Sequence, residues 1–363
     1  MKLQLVEYIK NNSDWETKLT QKPYCLTIKR KDNLIMFCYN QIESNFNLLL
    51  VKQSRGIVLE DTTFKPVCVP FFKFFNFGET NASEIDWNTA KINEKLDGSL
   101  IKLWFYEDEW RVSTNGTIDA KDANLSSEVS EYQNYYDLFL VALRGTSIQL
   151  HELDRQYTFM FELMSPYNRV VVPHKNIQIL HIGTRCNTTL EEVNIDIGVQ
   201  KPKSYSFKSI EECMEVAKEL PFTQEGYVVV DDDWRRIKIK SPAYVAVHHL
   251  ANNNIITKKR IVDLIKLNED SEFLAYFPEY KDAVEDIRKK ISAFVSDMDW
   301  CIECQQEIKN KKTINRKKFA EFALSTKCSP VLFSWLDGKI SNTQEWLYAQ
   351  TSEKIVEWIE GVK

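Results

Sequence analysis

Two hydrophobic periods divide this chain, and together they leave few folds open. Up to about residue 250, apolar residues recur at every second position in short runs. Beyond about 255 they recur at three- and four-residue spacing. A period of two suits a strand with one buried face, and a period near 3.6 suits a helix with one buried stripe. The strand runs are closed by turn residues. Leu26–Arg30 and Leu34–Tyr39 flank Lys31-Asp32-Asn33; Ser99–Tyr106 and Trp110–Thr114 flank Glu107-Asp108-Glu109; Glu225–Val230 and Arg235–Lys240 flank Asp231-Asp232-Asp233. Each pair reads as a hairpin. Ser54–Glu60, Tyr157–Leu163, Val170–Val172 and Ile177–Ile182 are predicted as further strands, and Pro66–Pro70 as a turn or edge segment. Helices are predicted at the start, around 127–144 and over 208–219. After the β region they are predicted over 281–308, near 316–325 and 330–337, and over 342–361. On 281–308 the stripe is Val284, Ile287, Ile291, Phe294, Val295, Met298 and Ile302. The expectation is an α+β protein: an antiparallel-sheet domain over 1–252 and an all-helical domain over 253–363.

The length of 363 residues, 44% of them hydrophobic, is enough for two such domains and a sizeable core. Met1–Glu7 lacks the apolar run of a signal peptide, and no stretch has the apolar length of a membrane span. The eight cysteines show no disulfide-framework spacing, which points to a reduced, intracellular, cytoplasmic setting. Cys301-x-x-Cys304 lies in a helical pattern and reads as buried or idle thiols, and His248-His249 as structural. A net charge of −5 argues against a protein coated for nonspecific nucleic-acid binding. It leaves room for a local basic groove, because phosphate contacts need clustered cations and not a basic total.

The chemistry gathers around Lys95-Leu96-Asp97-Gly98, just ahead of the Ser99 run. A lysine amine can attack phosphorus and hold the product covalently if its proton is removed. Gly98 lets backbone approach a ligand. Upstream, Phe71–Phe77 sets Lys73 among five phenylalanines, which calls for an anion or a ring at its amine. Glu162 is one acid in an apolar strand. Lys238 and Lys240 share a strand face, and if that face meets a pocket they make a phosphate clamp. Nucleophile, cations and carboxylates are what nucleotidyl transfer from a nucleoside triphosphate requires, since that chemistry is mainly positioning and charge neutralisation.

At these residues the chain resembles the covalent nucleotidyltransferases, the polynucleotide ligases and mRNA capping enzymes. Lys95-Leu96-Asp97-Gly98 is similar to their first motif and Phe159–Glu162 to the third. Glu225–Val228 is similar to the fourth and Lys238-Ile239-Lys240 to the fifth. Phe37–Asn40, Ser54–Ile57, Lys73–Asn76, Ser165–Val170 and Lys240–Val245 resemble the RNA ligase 1 family in particular, typified by T-even phage tRNA-repair ligases. The resemblance implies an adenylation domain and an ATP-dependent RNA ligase using Mg²⁺. It implies Lys95 as the residue that becomes lysyl-AMP, Glu162 at the ribose and Glu225 supporting the metal, with Glu162 as a second candidate metal ligand. Lys238 and Lys240 would contact the phosphates, Lys240 helping to expel pyrophosphate. Tyr39, Arg55, Lys73, Phe75, Gly98 and Tyr244 complete the expected nucleotide- and RNA-end-binding set. The implied partner is RNA with 3′-hydroxyl and 5′-phosphate ends, a nicked tRNA, acted on by a monomer away from membranes; virus encoding, with action in a host cell, is compatible with it.

One position departs from the phage pattern: Asn115 stands where the family member has a lysine, with Lys121 or Lys102 as candidate substitutes. The tail lacks the β-rich region that DNA ligases and capping enzymes carry after the fifth motif. Its run from Lys309 to Lys318 holds six cations in ten residues and reads as either a solvated loop or a tRNA contact. A DNA ligase or mRNA-end nucleotidyltransferase, and an inactive RNA-binding relic, remain the alternatives.

Overall fold

The computed structural model describes residues 2–125, 131–249, 256–311, 316–326, 328–340 and 342–361, without the side chains of 249, 272, 275–276, 305–311, 316 and 318. The chain divides into two compact units, Met1–His248 and His249–Lys363. The expected boundary at 252/253 lies outside the described residues, as do 312–315 of the basic run.

The first unit opens with helices α1 (Gln4–Asn11), α2 (Trp15–Thr20) and α3 (Leu49–Gln53), the last falling after the second strand. Its strands are β1 (Leu26–Lys31), β2 (Leu34–Tyr39), β3 (Arg55–Glu60), β4 (Pro66–Cys68), β5 (Phe75–Asn76), β6 (Lys91–Lys95), β7 (Ser99–Tyr106), β8 (Glu109–Thr114), β9 (Tyr157–Met164), β10 (Gln178–Cys186), β11 (Glu192–Val193), β12 (Ser204–Tyr205), β13 (Gly226–Val230) and β14 (Arg236–Lys240). They form three sheets, ordered β1-β2-β3-β4, β11-β10-β9-β7-β8 and β12-β6-β13-β14-β5. Every described pairing is antiparallel except β14 with β5. The three predicted hairpins form. At the β7–β8 turn, Glu107 and Asp108 take φ of 49° and 60°, matching the right-handed twist of the strands. Helix α4 (Tyr135–Arg144) packs on the sheet containing β9, with Leu138, Phe139 and Ala142 in its core. Helix α5 (Ile210–Lys218) covers the outer face of the sheet containing β6, contributing Cys213 and Ala217 beside Tyr227, Ile237 and Ile239. Helix α6 (Pro242–His249) follows β14. No helix is long and apolar enough to cross a membrane, among the described residues.

Three expectations change. Val170–Val172 is not a strand: the backbone N–H groups of Val171 and Val172 donate to Asp97 Oδ2 at 2.9 and 2.6 Å, so a side-chain carboxylate takes the donors a ladder would use. The helix sought around 127–144 begins at Tyr135, because Asn134 accepts from the Asp137 N–H and caps it there; 126–130 lie outside the described residues. The helix expected over 342–361 is two, α12 (Thr343–Tyr348) and α13 (Ser352–Glu360), the second capped by Thr351.

The second unit is helical throughout its described residues. Before α12 and α13 come α7 (Lys258–Leu267), α8 (Asp270–Tyr276), α9 (Lys281–Lys311), α10 (Arg316–Ser325) and α11 (Ser329–Leu336). The stripe on α9 buries Val284, Ile287, Ile291, Phe294 and Met298, and the next turn buries Cys301 while Val295 and Ile302 stay partly buried at the margin. Trp358 stacks on both Trp346 and Phe294, at 5.5 and 6.1 Å between ring centres.

Gly226 is the tightest joint in the β6-β13-β14 sheet. Its φ is +138°, and a Cβ there would lie 2.1 Å from the Ile239 carbonyl oxygen and 2.7 Å from Lys240 Cα. Backbone cannot yield as a side chain can. Gly226→Ala should therefore cost more than about 2 kcal/mol in urea unfolding; an unchanged midpoint would mean the joint is far more pliable than its packing.

Candidate active site

The strand register builds the floor of the site. Lys95 pairs with Gly226 and Gly226 with Lys240; Asn93 pairs with Val228 and Val228 with Lys238; Lys91 pairs with Val230 and Val230 with Arg236. Paired residues share a face and alternate residues repeat it, so these nine make three parallel rows roughly 6.5 Å apart. The other face carries Ile92, Tyr227, Val229, Ile237 and Ile239 into the core. A cavity of about 820 Å³ lies over this floor. Its opposite wall comes from β7, β9 and β10 through Leu100, Glu162 and His181–Thr184.

Lys95 and Lys240 end the first row, and Glu225 sits between them. Lys95 Nζ is 2.8 Å from Glu225 Oε2, and Lys240 Nζ is 3.8 Å from Oε1. Gly226 separates the lysines with no side chain of its own, which is why one carboxylate reaches both. All three side chains are largely buried, at 18%, 14% and 6% exposure, so charge neutralisation by Glu225 matters more than at a surface. Gly98 closes the corner after β6: a Cβ there would lie 2.5 Å from the Leu163 carbonyl oxygen. That close approach brings β9 and Glu162 against Lys95. Burial pushes the Glu162 carboxyl up to about 7; Glu225 adds to the rise, and Lys95 and Arg55 oppose it.

Aromatic rings hold the remaining cations. Arg55 and Lys238 both lie over Phe74, at 5.2 and 5.1 Å from the ring centre. Burial, then the charges of Lys73, Lys240, Lys95 and Arg55, hold the Lys238 ammonium well below the usual lysine range. Lys73 lies over Tyr39, Phe46 and Phe75 at 5.1, 5.3 and 5.6 Å and donates to Gln41 Oε1 at 3.0 Å. The sequence reading asked for an anion or a ring at this amine, and three rings meet it. Arg55 Nη1 is buried without a hydrogen-bond partner among the described residues. An orphaned guanidinium donor among lysines suits a bound phosphate oxygen.

Of the predicted residues, Arg55, Lys95, Gly98, Glu162 and Lys238 line the cavity, and Glu225 and Lys240 meet Lys95 at its end. Tyr39, Lys73 and Phe75 form the adjoining ring cluster. Tyr244 instead donates its hydroxyl to Asp97 Oδ1 at 2.9 Å, with Lys240 Nζ 5.8 Å over its ring. Asn115 lines the cavity. Neither suggested substitute does: Lys121 lies 4.7 Å over Tyr136, and Lys102 is fully buried, donating to the Gly56 carbonyl.

Sequence reasoning missed three supporting groups. Asp97, buried, gathers Tyr244, Val171 and Val172 on its carboxylate, and its carbonyl meets His174 Nε2 at 2.6 Å; it ties the lysine loop to the segment after β9 and to α6. Arg236 and Arg185 share Glu192, and the two guanidiniums lie 4.3 Å over Phe71 and Phe72. Phe74 is the ring between Arg55 and Lys238. The aromatic run signalled Phe74, and the first motif contained Asp97 without showing its partners, which lie 74 or more residues away; nothing local signalled that Arg236 would reach Glu192 from 44 residues away.

The arrangement sets a cluster of cations suited to a polyphosphate beside the buried Lys95 amine. Among the described residues no group of three or more His, Cys, Asp or Glu could by itself hold a metal ion. Glu225 and Glu162 are the acids at hand, and a pair of carboxylates suits Mg²⁺, which is commonly held by one or two carboxylates together with substrate phosphates.

A family profile described as RNA ligase matches residues 53–244, more than half of the chain. A protein of Autographa californica nuclear polyhedrosis virus, whose name pairs polynucleotide kinase with RNA ligase, is 28% identical over 82% of this chain and 44% of its own length. The chain thus spans under half of that relative. An RNA ligase of Rhodothermus phage RM378 is 24% identical over 90% of this chain and 91% of its own. A Thermovibrio ammonificans protein bearing an RNA ligase name is 27% identical over 61% of this chain and 60% of its own.

The raised Glu162 carboxyl makes a stability test. It keeps its proton in the folded chain where the unfolded chain has lost it, so its contribution is full below the ordinary glutamate range and is lost as pH rises to about 7. Glu162→Gln should remove that loss. Urea unfolding should show the variant gaining on the order of 2 kcal/mol over wild type at about pH 8 and little at about pH 4. The same difference at both pH values would mean that burial does not perturb Glu162.

Proposed function

The chain belongs to the RNA ligase family, and on that premise we propose that it is an ATP-dependent RNA ligase that joins 3′-hydroxyl and 5′-phosphate RNA ends by way of its own Lys95. The observation that carries the reading is the Lys95–Glu225–Lys240 row at one end of the cavity, beside the orphaned Arg55 donor. Lys95 Nζ, having come free of Glu225 and released its proton to solvent, attacks the α-phosphorus of ATP. The bond to the bridging oxygen breaks, and the electron pair leaves with pyrophosphate. Lys240 and Lys238 neutralise that leaving group, and Arg55 and Lys73 act on the phosphates or the RNA end. The product is a phosphoramide, lysyl-AMP. An RNA 5′-phosphate oxygen then attacks the same phosphorus, the P–N bond breaks, and Lys95 recovers a proton. A 3′-hydroxyl displaces AMP from the activated end.

The depressed Lys238 fits this cycle. Its charged form is costly to bury while no anion is bound, and a phosphate oxygen would favour that charged form. Glu162, on the wall facing Lys95, is placed to accept from the ribose hydroxyls. Mg²⁺, held by Glu225 and Glu162 with the phosphates, would supply further charge neutralisation. For substrate we propose a nicked tRNA, and for setting the cell interior, with the protein acting as a monomer. The helical second unit is the part proposed to choose among RNAs, since the catalytic candidates all lie in the first.

Incubation with α-labelled ATP, GTP or NAD and Mg²⁺, followed by a denaturing gel, should label the protein from ATP, and Lys95→Ala should abolish the label. Label on Lys95→Ala would overturn the nucleophile assignment. Label from GTP or NAD alone would point to a capping-type or NAD-dependent enzyme, and no label at all to a binding relic.

Lys240→Ala should slow self-adenylation at least about a hundredfold, because it removes a cation from the leaving group. Sealing of pre-adenylated RNA by the same variant should fall much less. Equal loss in both assays would place Lys240 outside the pyrophosphate step.

A further inference from the structure

Lys102 is the least expected residue of the first unit. It lies on the same face of β7 as Leu100, which lines the cavity, yet it is 0% exposed. Its ammonium donates to the Gly56 carbonyl oxygen at 2.5 Å, the one acceptor recorded for it among the described residues. A buried ammonium with one acceptor is costly, and an apolar side chain of its volume would cost less. Its neighbourhood is specific. Gly56 follows Arg55, whose buried Nη1 has no hydrogen-bond partner among the described residues. The Asn115 carbonyl oxygen packs 2.5 Å from where a Gly56 Cβ would stand, and it accepts from Cys38 Sγ at 3.4 Å. Arg55 and Asn115 both line the cavity. Lys102 thus stands directly behind two segments that face the proposed phosphate end.

We propose that Lys102 is a positioning residue for the anion site: through the Gly56 carbonyl it fixes the start of β3 so that Arg55 meets the phosphates, and its charge deepens the positive field there from behind the strand. This rests on the ATP-binding reading of the cavity. It explains why a charge is kept where packing alone would favour an apolar residue. The ionisable groups around Lys102 are the Cys68 and Cys38 thiols and the Arg55 guanidinium. Burial, with Arg55 adding to it and the thiols opposing it, holds the Lys102 ammonium below the usual lysine range. A bound polyphosphate would raise it again, so anion binding should draw in a proton.

The test is calorimetric titration of the full chain with inorganic pyrophosphate, in buffers of differing ionisation enthalpy, near about pH 8 to 9. Wild type should take up protons on binding. Lys102→Met should bind about tenfold more weakly, as loss of one nearby charge in a partly buried site implies, and should take up fewer protons. Lys238 contributes uptake to both proteins, so the difference between them is the readout. Lys102→Met should keep or raise the thermal midpoint. Lys102→Gln, which retains a donor for Gly56 without the charge, is measured as well and replaces Lys102→Met if that variant does not fold; affinity between those of wild type and Lys102→Met, with uptake still reduced, separates tether from charge. Unchanged affinity and unchanged uptake in a folded variant would overturn the proposal and leave Lys102 a packing residue. Label transfer from ATP to wild type is measured alongside. Its failure with the pyrophosphate difference intact would count against the ligase reading alone.

Discussion

A single carboxylate between two lysines is the contact on which the rest of this site depends. Lys95 and Lys240 end neighbouring edges of one face, and with both charged and buried they would repel. Glu225 neutralises the pair, and it reaches both because Gly226 puts no side chain between them. The register of three strands, one glycine at a positive φ and one acid are therefore a single device. A slip of one residue in β6 or β14 would turn its lysines toward the core that α5 covers.

Where Glu225 neutralises these two lysines, rings hold the other cations. Phe74 carries Arg55 and Lys238, the Tyr39, Phe46 and Phe75 group carries Lys73, and Phe71 and Phe72 carry Arg236 and Arg185. A ring face steadies a cation without neutralising it. Charge is thus held ready for an anion, at the cost of a depressed Lys238 and an unpartnered Arg55 donor. Burying uncompensated charge lowers stability, and sites that bind polyanions commonly accept that cost.

Much of this was legible in the chain, and the reason is local. Alternation over Ser99–Tyr106, Tyr157–Leu163 and Arg236–Lys240 needs only neighbouring residues to declare a strand face. The α9 stripe likewise declares a helix. The Lys95, Glu162, Glu225 and Lys238–Lys240 elements were visible because each is a short motif. Two of the failures share a long-range cause. Val170–Val172 has the composition of a strand, but its donors go to Asp97, more than seventy residues earlier. Lys102 looked like a possible cavity cation, and the fold of β3 across it put it behind the wall.

The sequence by itself determined the class of most elements, the order of the motifs and the chemistry they can carry, because periodicity and residue type are properties of adjacent positions. Tertiary structure decided which groups meet. Glu225 reaches Lys95 from 130 positions away, Tyr244 reaches Asp97 from 147, and Gly56 reaches Lys102 from 46. Such meetings depend on sheet order and on which backbones can approach closely, and those follow from packing the whole unit.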